Sequence, residues 1–168
     1  QKAGVATVFQ DLALCENLDV VANLFLGHEK TRGGVLDEVS MEAKSWELLR
    51  SLSAKIPSVR VPIAALSGGQ RQTVAIARSL LGEPSLVMLD EPTAALGVAQ
   101  TAEVLNLVER LRDNGLAVIL ISHRMPDVFS VCDRVVVMRR GTKVADKTTA
   151  TTSPEEITGL ITGAIHAA

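Results

Sequence analysis

Three short apolar runs constrain this chain more than anything else in it: "GVATVF" at 4–9, "SLVMLD" at 85–90 and "LAVILISH" at 116–123. Each is strand-sized and apolar without strict alternation, the pattern of strands buried in a parallel sheet. Each also ends in polar residues. Parallel neighbours cannot be joined by tight turns, so the intervening sequence must supply crossovers. It has the periodicity to do so. Between the second and third runs, Val104, Leu105, Val108 and Leu111 form one helical stripe over 99–113, and Asn114-Gly115 is a stop. Ser40 is placed to cap a helix striped by Met41, Leu48, Leu49 and Leu52 and closed off by Pro57. Residues 12–81 contain helices and loops but no convincing strand. The reading is an α/β sheet interrupted by a helical insert. After it, "RVVVMRR" and "TKVADK" flank a hairpin turn at Arg140-Gly141, and "TTATTSP" leads to a last short helix over 154–161. No internal repeat is visible.

The 168 residues suit one domain with a real core, and with 2% aromatics that core rests on Leu, Val, Ile and Ala. Seventeen basic against 19 acidic residues give a net charge of −2, so no basic field points to nucleic acid. Cys15 and Cys132 lie far apart without metal-ligand spacing and read as buried thiols of a reducing compartment. The longest apolar runs are too short to cross a bilayer. Gln1 leads directly into a strand-like run, so the chain reads as a piece of something longer.

The chemistry gathers where the apolar runs end. Asp90 and Glu91 are adjacent carboxylates at a strand terminus, and open α/β sheets bind ligands at that edge. In nucleoside-triphosphate hydrolases with a phosphate-binding loop, one carboxylate there holds Mg²⁺ and the next orients or deprotonates water. The alternative is two acids facing solvent. His123 ends another run and could hydrogen-bond a terminal phosphate; alternatively it packs at a loop entry. Gln10 leaves the first run at the same edge, where its amide could join a Mg²⁺ shell; alternatively it is an ordinary polar exit. In "LSGGQRQ", Ser67, Gly68 and Gly69 precede helix-forming sequence. A helix start carries unsatisfied N–H groups and about half a positive charge, which attracts phosphate. The alternative is a serine cap followed by a glycine-rich loop.

Together, "LSGGQRQ", "SLVMLDEPTAAL" and "LISH" resemble the nucleotide-binding subunit of an ATP-binding-cassette transporter. The resemblance covers almost the whole chain. It implies a partial P-loop NTPase core with an inserted helical subdomain, all in one partial domain over 1–168. That domain comprises a strand over 1–11, the helical subdomain over 12–82 and the core over 83–168. It implies ATP and Mg²⁺ as ligands, Glu91 and His123 as catalytic residues, and Gln10 and Asp90 at the metal. Ser67, Gly68, Gly69 and Gln70 are the implied nucleotide contacts, made in this family to the triphosphate of a second, head-to-tail subunit. The implied partners are that second subunit, membrane-embedded permease subunits touching the loop at about 11–21 and, indirectly, a sugar-binding protein outside the membrane. The implied location is the cytoplasmic face of the membrane. The wording around the motifs is similar to importers of monosaccharides.

Two features depart from the family pattern. No G-x-x-x-x-G-K-[ST] loop occurs in the chain, which reads as truncation rather than degeneration, and Gly97 stands where many members carry an aspartate. A chromosome-maintenance or DNA-repair ATPase shares the signature motif but carries long coiled coils between motifs. Residues 10–66 have no sustained heptads. A non-catalytic cassette fragment is a further alternative for the piece itself.

Overall fold

The computed structural model describes residues 4–165, which fall into two units, one ending at Ile121 and the other beginning at Ser122. In the first unit the order is β1 (Val5–Val8), α1 (Val20–Phe25), β2 (Thr31–Arg32), β3 (Val35–Leu36), α2 (Glu38–Ser51), α3 (Gly68–Leu80), β4 (Leu86–Asp90), α4 (Val98–Asp113) and β5 (Ala117–Ile121). Strands β1, β4 and β5 form one parallel sheet in that order, with Val5 beside Leu86, Val8 beside Leu89 and Asp90 beside Ile121. The three expected runs are thus the three strands of an α/β sheet. The helical insert leaves after β1 and returns to β4, its immediate neighbour.

Alternation sorts the sheet into two faces. Val8, Val87 and Leu89 are buried, and α3 packs on β1 while α4 packs on β5. On the opposite face Val5, Ile119 and Ile121 are 38–44% exposed. Among the described residues of this unit, helices cover one side of the sheet, although the apolar runs suggest burial on both.

The insert has its own core. Val20 and Leu24 of α1, Leu49 of α2, Val59, Ile63 and Ile76 of α3 are all buried, each contributing about 1.5–3 kcal/mol if fully withdrawn from water. Three details differ from the sequence reading. Asp37, not Ser40, caps α2: its carboxylate accepts both the Ser40 N–H at 3.1 Å and the Ser40 hydroxyl at 2.7 Å. Those two bonds hold the Asp37 carboxyl below the usual range. A small hairpin, β2–β3, occupies residues read as strand-free. Gly33 and Gly34 both have positive φ, the requirement of a two-residue turn, but arms of two residues are too short to show a period. On α4 the buried stripe is Thr101, Val104, Leu107, Val108 and Leu111, with Leu107 in place of Leu105.

The second unit contains α5 (Met125–Val131), β6 (Arg134–Arg139), β7 (Thr142–Thr148) and α6 (Pro154–Thr162). The antiparallel β6–β7 hairpin turns at Arg140-Gly141, both at positive φ, as the sequence suggests. Val137, Ile157 and Leu160 form its buried centre, flanked by Met125, Phe129 and Val144. Ser153 caps α6 by accepting the Glu156 N–H. The short helix α5 had no periodic signal. Cys15 and Cys132 are free thiols and half-buried rather than buried.

Candidate functional site

The register of β1 on β4 decides what meets at the sheet edge. One and two residues beyond the Val8–Leu89 pair come Phe9-Gln10 on one strand and Asp90-Glu91 on the other. Gln10, Asp90 and Glu91 are therefore carried to one carboxyl edge of a parallel sheet, where such folds bind ligands. Asp90 is the last ladder residue of β4. Glu91 then turns into the left-handed region at φ 47°, and its N–H donates to the Ile121 carbonyl at 2.9 Å. A non-glycine residue held there costs about 1–3 kcal/mol. The segment from Pro92 to Leu96 is tightly folded. Ala94 donates to the Glu91 carbonyl, Leu96 donates to the Thr93 carbonyl, and Pro92 and Thr93 are buried. His123 is the second residue of the second unit, two positions beyond β5, and is exposed. Within one unit, then, the sheet brings together Gln10, Asp90 and Glu91; His123 lies in the other.

The Ser67 turn forms the start of α3. Ser67 is an exposed N-cap whose hydroxyl accepts the Gln70 N–H at 3.3 Å, while Gln70 Oε1 accepts the Ser67 N–H at 2.9 Å. This reciprocal box satisfies two of the backbone donors at the helix start and leaves Gly68 and Gly69 at positions that no helix bonds internally. Gln70 Nε2 donates to the Lys55 carbonyl at 2.7 Å. Both ends of the Gln70 amide are thus committed within the chain, and it holds the turn in place.

The two glycines also have a packing reason that the sequence did not reveal. They form the first turn of the helix rather than a loop. A Cβ at Gly68 would lie 2.9 Å from the Leu96 Cδ2 atom, and one at Gly69 would lie 3.3 Å from Gln100 Cβ. The helix start is therefore pressed against the segment leaving Glu91 and against α4. Gly97 caps α4, with its N–H donated to Gln100 Oε1.

Sequence reasoning missed the residues that fix the loop after Gln10. Asn23 is fully buried; its Nδ2 donates to the carbonyls of Cys15, Leu18 and Asp19, and its Oδ1 accepts the Cys15 N–H at 2.7 Å. Arg78 of α3 donates to the carbonyls of Leu12 and Ala13, and burial pulls its pKa below the usual guanidinium range. Arg71 donates to the Ala64 and Leu66 carbonyls and pairs with Glu16 at 3.0 Å. Beside β1 a cavity of about 820 Å³ opens, lined by Val5, Phe9 and Leu26 with Lys44 and Arg78 on its polar side. Among the described residues no helix is long and apolar enough to cross a membrane.

Residues 1–94 match the family model described as ABC transporter. A xylose/arabinose import ATP-binding protein of Sulfolobus acidocaldarius is 40% identical over 159 residues, which are 95% of this chain and 63% of that protein. A fructose import ATP-binding protein of Rhizobium meliloti is 41% identical over 86% of this chain and 58% of its own length. A ribose import ATP-binding protein of Chromobacterium violaceum is 37% identical over 97% of this chain and 32% of its own length. The chain thus spans less than two thirds of the relatives it matches. Among solved structures, an ATP-binding cassette captured as a dimer in a post-hydrolysis state with ADP and Pi aligns with a TM-score of 0.68 and 25% identity. That alignment covers 86% of this chain and 62% of the cassette. With more than half its residues under the family model and its sheet edge built as described, the chain belongs to the ABC transporter family.

Proposed function

We propose that the whole protein hydrolyses ATP as the nucleotide-binding subunit of an importer, coupling the reaction to uptake of a monosaccharide. The observation that carries the reading is the placement of Gln10, Asp90 and Glu91 at one carboxyl edge of the parallel sheet. The relatives whose names specify import of xylose or arabinose, fructose and ribose support the transport role.

Glu91 orients and deprotonates the attacking water, with its backbone fixed by the bond to Ile121. His123 contacts the terminal phosphate. Asp90 and Gln10 are oxygen donors on adjacent strand ends, a donor set that suits a hard cation such as Mg²⁺. These two would fill part of its coordination shell. The ion would neutralise charge on the phosphates. Ser67, Gly68 and Gly69 present a hydroxyl and helix-start amides to the triphosphate of a second subunit, and Gln70 serves that contact through the capping box. Permease subunits engage the loop after Gln10, a sugar-binding protein delivers the cargo to them, and the protein works at the cytoplasmic face of the membrane.

The test is Glu91→Gln in the whole protein. It keeps the shape and the backbone bond but removes the base, so ATP binding persists while turnover falls about 100-fold or more. Turnover equal to that of the parent protein would remove Glu91 from the role.

A further inference from the structure

Two arginines on one helix join two regions that the sequence keeps far apart. Arg78 reaches Leu12 and Ala13, 66 and 65 positions earlier, with N–O distances of 2.8 and 2.7 Å. Ala13 itself sits at φ 48°, a conformation that an alanine does not hold without support. A turn and a half or more nearer the helix start, Arg71 bonds Glu16 and the Ala64 and Leu66 carbonyls. The backbone adds two further ties: Ala64 N–H to the Glu16 carbonyl at 3.1 Å and Ile63 N–H to the Leu18 carbonyl at 3.0 Å. Residues 12–18 are therefore fastened to α3 at one end and to the lead-in of the Ser67 turn at the other. The planar guanidinium fork suits two successive carbonyls; a lysine ammonium is a point charge without that geometry.

We propose that Arg78 is a positioning residue, clamping the Leu12 and Ala13 carbonyls so that a contact made on loop 12–18 is passed through α3 to the Ser67 turn. This rests on the nucleotide role proposed above for that turn. Arg78 touches neither nucleotide nor water in the reaction and acts only by holding the loop.

The test compares ATP turnover of the whole protein alone and assembled with its membrane subunits in vesicles. Arg78→Lys leaves the basal turnover of the isolated protein within about twofold and lowers the stimulation produced by assembly about fivefold or more. Arg78→Gln, shorter and uncharged, loses at least as much. Wild-type stimulation in both variants overturns the clamp. A second measurement needs no variant: denaturant-dependent hydrogen exchange of the unmodified protein. Amides of residues 13–18 and 71–76 open together if the clamp joins them. Separate opening of 13–18 at lower free energy refutes it. If the assembled wild-type protein shows no ATP turnover, the nucleotide reading fails while the exchange result still decides whether the loop and helix are one body.

Discussion

Replacing Asn23 with alanine tests how firmly the loop after Gln10 is built. The side chain is fully buried and bridges three carbonyls and one N–H. Two amide hydrogens serve three carbonyls, so one is shared, and about three full bonds is a fair count. Each contributes about 1 kcal/mol net, and truncation leaves the Cys15 N–H without its acceptor while the three carbonyls keep backbone donors from Leu18, Ile63 and residue 23, so the loss is about 3–4 kcal/mol. That is a large part of a typical stability of about 5–15 kcal/mol. With a urea slope of about 2 kcal/mol/M, the unfolding midpoint of the whole protein falls by about 1.5–2 M. Asn23→Asp is worse than alanine at neutral pH, because it keeps the acceptor but buries a carboxylate oxygen against three carbonyl oxygens that repel it. Equilibrium urea unfolding followed by circular dichroism reads both. A midpoint shift below about 0.3 M for Asn23→Ala, at unchanged slope, would show that water replaces the bridge and that the network is not structural.

The Ser67 turn and the C-terminal hairpin offer further tests. Gly68→Ala gains at most about 1 kcal/mol of helix propensity and must displace only a Leu96 methyl group, so stability changes little. ATP turnover of the whole protein nonetheless falls by about 100-fold, because the added carbon, wedged against Leu96, displaces the helix-start amides from their productive position; unchanged turnover at unchanged stability would leave the glycine with no role towards nucleotide. Asp146 is held at a pKa of about 2 by the Arg134 guanidinium at 2.6 Å, with Lys143 assisting. Since the folded value is depressed, the pairing is complete above the unfolded carboxyl pKa of about 3.9 and is lost as pH falls from there through about 2. An NMR titration of the Asp146 carboxyl reads this directly, and in Arg134→Gln the midpoint moves back up.

Much of the sheet was legible because strand ends announce themselves. Runs at 4–9, 85–90 and 116–123 became Val5–Val8, Leu86–Asp90 and Ala117–Ile121, and their polar exits gave Gln10, Asp90, Glu91 and His123 as a set, of which the first three lie in the unit ending at Ile121. What failed to show was either very local or very distant. Asp37 took the capping role from Ser40 because it stands three positions earlier, where its carboxylate meets the Ser40 amide. Leu107 displaced Leu105 because the buried arc of α4 is set by what it packs against, not by the helix alone. Asn23, Arg71 and Arg78 read as ordinary polar residues on helices, since their partners are loop carbonyls that only tertiary structure brings near. The glycine pair was legible as a helix start, whereas its contact with Leu96 and Gln100 belongs to packing between elements.

The bond from the Glu91 amide to the Ile121 carbonyl has a consequence for how such a protein tolerates change. Both partners are main-chain atoms, so no side-chain replacement in β5 deletes the tether. The acid is aimed by the neighbouring strand rather than by its own, and sequence drift at the apolar positions beneath it can proceed while its orientation stays put.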